Sequence, residues 1–137
     1  MQKISIAIHG GAGTILQSEM SAEKETAYKE ALHEALNAGY EVLEKGGTAL
    51  DAVEQAVIEL ENCPLFNSAK GAVFNSLGKH EMDASIMDGK TTLAGAVCGV
   101  HNIQNPVALS RQVMQQTEHV LLMGEGAMDF AATIGFP

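Results

Sequence analysis

The hydrophobic period of this chain changes across residues 60–71, and that change limits what it can fold into. Just before it, apolar residues recur at helical spacing; just after it, short apolar runs are cut by turn residues, as in strands. Helices followed by a run of strands point to an α+β arrangement. The stretch between them, Leu60-Glu61-Asn62-Cys63-Pro64-Leu65-Phe66-Asn67-Ser68-Ala69-Lys70-Gly71, follows neither period. Its composition favours order, because Cys63, Leu65 and Phe66 are apolar and Pro64 fixes one torsion, whereas a disordered linker is polar and charge-rich. A packed loop outside helix and sheet carries carbonyls that need partners, which are amides, water or a cation. Asn67 is the residue in it that most invites a functional role.

A chain of 137 residues fits one domain and buries roughly two-thirds of its unfolded surface, enough for a core without staples. The formal charge of −9, with eight Lys and Arg in all, argues against nucleic-acid or anionic-membrane partners, which need clustered cations. Cys63 and Cys98 have no metal-ligand spacing, and so few cysteines suit a reduced, cytoplasmic compartment with two buried free thiols. The amino end has one basic residue and an apolar run too short for a signal or a membrane span.

In chain order, Ile4, Ile6 and Ile8 alternate with Ser5 and Ala7 and predict a strand, which ends at His9-Gly10-Gly11-Ala12-Gly13. Three glycines in four positions allow unusual torsions or a close approach, as a tight turn or an active-site wall. A phosphate loop is a weaker reading, since neither the Walker nor the dinucleotide spacing is present. Ser21 caps a first helix whose small residues, Ala27, Ala31, Ala35, Ala38 and Val42, suit close packing on a sheet; it runs to Gly46-Gly47. Thr48 and Asp51 form a capping box for a second helix, with Ala52, Val53, Ala56, Val57 and Leu60 inward and its charged residues solvated. Segments 72–75, 81–87 and 93–100, separated by turns at 76–79 and 88–90, predict a three-strand antiparallel meander. Asn105 and Pro106 open a third helix through Gln116, residues 119–123 read as a short buried strand, and 127–132 as a last helix.

Little chemistry is announced by local motifs. His80-Glu81-Met82-Asp83 lacks the second histidine of a zincin, and strand geometry turns Glu81 and Asp83 away from the Met82 face. His9, His33, His101 and His119 are scattered, and no hydroxyl or thiol stands in a nucleophile motif.

Four segments in order carry a resemblance: Ile6-Ala7-Ile8-His9-Gly10-Gly11-Ala12-Gly13; Leu60 to Asn67 with Gly71-Ala72-Val73-Phe74-Asn75; Glu81-Met82-Asp83-Ala84-Ser85-Ile86-Met87-Asp88-Gly89; and Asn105-Pro106-Val107-Ala108 with Gly124-Glu125-Gly126-Ala127. Together they resemble the plant-type L-asparaginase/isoaspartyl peptidase family of N-terminal-nucleophile hydrolases, over essentially the whole chain. The resemblance implies an αββα sandwich, with residues 1–137 as the α-subunit part of a domain completed by a β subunit cut from the same precursor, in an (αβ)2 assembly. It implies hydrolysis of L-asparagine and β-aspartyl dipeptides by a threonine that opens the β subunit, since Gly13-Thr14 and Gly47-Thr48, the two Gly-Thr pairs here, both match α-subunit structure. It places Asn67 near that nucleophile, His9, Gly10 and Gly11 in the wall behind it, and a sodium ion on the main-chain carbonyls of Leu60, Glu61, Cys63, Phe66, Ser68 and Lys70, with no organic cofactor. A glycosylasparaginase-like amidase and a non-catalytic phosphate or small-molecule-binding domain built on residues 10–13 are the alternatives.

Overall fold

The computed structural model describes residues 3–11 and 20–137. Helix α1 (Ala22–Glu44) starts where the Ser21 hydroxyl accepts the Lys24 N–H, and α2 (Ala49–Asn62) starts at the reciprocal Thr48–Asp51 capping box. Both starts are local hydrogen-bond problems with local solutions, and both were expected from the sequence. The narrow face of α1 buries Ala35 and Gly39, but against α2 and not against a sheet, with Ala52 and Ala56 of α2 opposite. Small residues on both partners let the two axes come close, and a second helix fills that gap as well as a sheet would. Val53, expected inward, is exposed.

After α2 the chain winds through residues 63–68 into a single 3-10 turn, Ala69–Gly71. Strand β1 (Met82–Met87) then pairs antiparallel with β2 (Ala94–Val100) across a turn in which Asp88 accepts the N–H groups of Lys90 and Thr91. The register shifts between Met82 and Ala84, a bulge at which the Asp83 side chain accepts the Gly99 N–H at 2.8 Å. Helix α3 (Pro106–Gln116) crosses from β2 to β3 (Leu121–Met123), which lies parallel to β2, and α4 (Gly124–Thr133) follows.

The sheet order β1-β2-β3 corrects the expected meander. Residues 72–75 form no strand: Asn75 instead organises a turn, its Oδ1 accepting the N–H groups of Leu77 and Lys79 and its Nδ2 donating to Glu81. The third place in the sheet goes to β3 by way of a helical crossover, the connection a parallel pair requires. That strand is shorter than expected and largely exposed, and α4 begins three residues earlier. The first segment keeps its alternation, Ile4, Ile6 and Ile8 half-buried and Ser5 and Ala7 exposed, yet has no ladder partner among the described residues.

One face of the sheet carries the main core. Met82, Val97 and Val100 pack with Ile103, Leu109, Val113, Ala127 and Ala131, beneath α3 and α4. The contact of α3 with β2 is close enough to require Gly95, since a Cβ there would fall 2.1 Å from the Ser110 carbonyl oxygen. The opposite face is bare among the described residues: Met87 is 58 %, Leu121 51 % and Met123 66 % exposed. Cys63 and Cys98 are free thiols, half-buried where full burial was expected. No helix among the described residues is long and apolar enough to cross a membrane.

Candidate active site

The glycine turn and the irregular loop, some fifty residues apart in sequence, line one cleft of about 630 Å³. His9, Gly10 and Gly11 form one wall, Phe66, Asn67 and Ser68 another, and Tyr28, Val57 and Leu60 the helical floor. The Gly11 N–H donates to His9 Nδ1 at 3.1 Å, which holds the turn closed. A Cβ on Gly10 would press on Leu32 and Phe66, so glycine is what lets the turn lie against the loop. Tyr28 meets Phe66 edge-on with centroids 5.8 Å apart, fixing the loop to α1. Ala12, Gly13 and Thr14 lie outside the described residues.

Asn67 is exposed to this cleft, and its Oδ1 accepts the Val73 N–H at 3.0 Å. That bond fixes the amide plane and leaves both N–H donors of Nδ2 without a partner among the described residues. A pinned amide with two free donors beside a cleft can hold a hydroxyl or a developing oxyanion.

The loop behind Asn67 is tightly wound. Gly71 lies so close to the Phe66 and Pro64 carbonyls that a Cβ would stand 2.0 and 2.8 Å from their oxygens, and Ala69 takes a φ of +39°, unusual for a residue with a side chain. Of the six carbonyls in question, those of Leu60, Phe66 and Ser68 accept amide hydrogens from Cys63, Ser68 and Gly71. Those of Glu61, Cys63 and Lys70 accept no backbone amide among the described residues. An accepting carbonyl keeps a second lone pair, so the loop retains unused acceptor capacity at these oxygens.

Sequence reasoning missed the side chain of Glu61, which is 2 % exposed at the last turn of α2. Its Oε1 accepts the Val107 N–H at 2.9 Å, while Oε2 is buried with no partner among the described residues. Burial pushes its carboxyl up to about 7, with the bond from Val107 pulling the other way and Glu54 adding to the rise. Arg111 was missed too: half-buried, it donates to Asp51 at 2.6 Å and to Glu54, tying α3 to α2. Bonds from Thr48 and then Arg111 hold the Asp51 carboxyl below the usual aspartate range. A signal existed in both cases, because Glu54 and Glu61 are seven residues apart on one side of α2 and Arg111 is the sole arginine of the chain.

The family model described as asparaginase matches residues 1–137. The chain belongs to that family. Within the asparaginase family it is 51% identical over 135 residues to a protein named isoaspartyl peptidase from Salmonella typhimurium, covering 98% of this chain and 43% of that protein. It is likewise 51% identical to an isoaspartyl peptidase of Escherichia coli, covering 98% of this chain and 42% of the other. A plant-type L-asparaginase of Pyrococcus abyssi is 49% identical, again over 98% of this chain and 42% of its own length. This asparaginase-family chain therefore spans about two-fifths of the length of the curated relatives it matches.

Proposed function

We propose that this chain is the α-subunit part of a self-cleaving amidohydrolase acting on L-asparagine and β-aspartyl dipeptides. The observation that carries the reading is the half-identity, over nearly the whole chain, to relatives named for those two activities. A threonine opening the β subunit is the nucleophile. Its hydroxyl oxygen attacks the side-chain carbonyl carbon while its own α-amine takes the hydroxyl proton. The C–N bond then breaks, the leaving nitrogen departs with that proton, and water hydrolyses the aspartyl ester to restore the hydroxyl. The present chain supplies support: Asn67 presents Nδ2 toward the reacting centre, and His9, Gly10 and Gly11 close the cleft behind it.

The same reading completes the α+β portion as an αββα sandwich, with the β subunit covering the bare sheet face in an (αβ)2 assembly. Met87, Leu121 and Met123 on that face support it, since exposed apolar sheet surface fits another layer. A sodium ion held by the loop carbonyls has a structural role, neutralising oxygens that would otherwise repel one another in the tight winding. Two free thiols suit a cytoplasmic setting.

The test uses the full-length protein. Denaturing mass analysis should show two species, one with an amino-terminal threonine, and the pair should release aspartate from asparagine and from a β-aspartyl dipeptide. Asn67→Ala should lower kcat by roughly a hundredfold, the loss typical of one oxyanion-type donor. An uncut protein that hydrolyses neither substrate sinks the reading; normal turnover of the variant removes Asn67 from it.

A further inference from the structure

Three residues meet where α2 ends and α3 begins. Pro106 has no N–H, so Val107 carries the first donor of α3, and the Glu61 carboxylate takes it at 2.9 Å. The residue that would ordinarily cap the helix, Asn105, makes no capping bond and donates to Asn62 at 3.2 Å. A carboxylate at a helix N-terminus also faces the positive end of the helix dipole. Glu61 therefore replaces the local cap with one from another helix, six residues before Asn67.

The other oxygen, Oε2, is buried without a partner among the described residues, and Glu61 lines a cavity of about 220 Å³ whose other walls include Asn67 and Ser68 on one side and Met82 and Asp83 on the other. Glu81 and Asp83, the other carboxylates of that cavity, are already bonded to Asn75 and to the Gly99 N–H. One residue thus bonds the first N–H of α3 with its side chain and shares the lining of this cavity with the Asn67 loop.

We propose that Glu61 is a positioning residue, tying the N-terminus of α3 to the loop that carries Asn67 and so fixing where the Asn67 amide stands. This rests on the reading of Asn67 as the active-site donor. A displacement of about 1 Å in a catalytic group costs on the order of a hundredfold in rate, so a loosened loop is read as lost kcat and not as lost substrate binding.

The test is made in the full-length protein with Glu61→Ala, Glu61→Gln and, as a control that loosens the same junction without touching the cavity, Asn62→Ala. Hydrogen exchange of residues 63–73 should rise about fivefold in Glu61→Ala. Its kcat should fall at least about tenfold with KM within about twofold. Glu61→Gln keeps an acceptor for Val107 and should restore both the exchange protection and at least about a third of kcat. Asn62→Ala should move neither. If Glu61→Ala does not fold, Glu61→Asp, which falls one methylene short of Val107, serves with the same expectation. Unchanged exchange in the loop, an equal loss in Asn62→Ala, or a Glu61→Gln as defective as Glu61→Ala overturns the proposal. A wild-type protein that hydrolyses neither substrate defeats the proposed function instead, and the exchange comparison still decides whether Glu61 holds the loop.

Discussion

The junction of α2 with α3 and the bare face of the sheet solve opposite problems. At the junction every partner is inside the chain and the bonds are directional: Glu61 to Val107, Asn105 to Asn62, and Arg111 to Asp51 and Glu54. On the bare face Met87, Leu121 and Met123 carry no directional groups and remain exposed. Hydrogen bonds and ion pairs fix relative position, whereas apolar area drives association with little regard to angle. The junction is therefore where the molecule sets geometry, and the sheet face is where it gains area once covered.

The largest effect should come from breaking the apolar side. In the full-length protein Leu121→Asp with Met123→Asp buries two unpaired carboxylates under the proposed second layer, a cost of several kcal/mol or about 4 at least. Assembly should fail, read as loss of the two-chain species on gel filtration. A double variant that assembles with unchanged melting temperature would mean that nothing covers this face.

Next in size is the polar side. Arg111→Ala removes the cation between Asp51 and Glu54 and should cost about 2 kcal/mol by denaturant titration, below the value for a fully buried pair because Asp51 is part-exposed. The same variant predicts a pH signature. Because the folded Asp51 carboxyl is held below its ordinary range, its contribution is present above about pH 4 and is lost as pH falls through the lowered value. Wild-type stability should thus decline in that acid window, and Arg111→Ala should flatten the decline. An identical acid limb in both proteins would show that the staple does not set it.

The smallest effect lies in the loop that joins the two regions. Ala69 occupies a left-handed conformation at φ +39°, which glycine adopts without penalty. Ala69→Gly should stabilise the protein by about 0.5 kcal/mol after the extra entropy of glycine is subtracted, seen as a melting-point rise of a degree or two. A loss of stability would mean that the Ala69 methyl contributes more packing than its backbone costs.

The parts legible in the sequence were those decided by near neighbours. Ser21, the Thr48–Asp51 box and Pro106 each mark a helix start because the bonds they make lie within one turn. Residues 72–75 are expected on the free edge of β1, whereas the third strand, residues 121–123, lies on the other side of the sheet beside β2. An extended run does not say which strand it will meet, and the true partner of β2 arrives only after α3 has crossed. The pairing of Asn67 with His9 to Gly11 in one cleft came from family resemblance, since nothing local links them. Glu61 was hidden by the ordinary expectation that a glutamate on a surface-type helix faces water, which holds until another helix puts its first N–H against it.

The bulge in β1 has a consequence for how the hairpin tolerates change. In a two-stranded pair a slip by one residue turns every side chain to the wrong face. Here Asp83 reaches across at the bulge to take the Gly99 N–H, so a slipped strand would lose that bond and leave an amide unpaired. Registry is thus keyed at the end of the hairpin away from its turn at Asp88 to Leu93. The turn is relieved of choosing the alignment, and residues added there would cost chain-closure entropy, which grows slowly with length, without shifting the strands they connect.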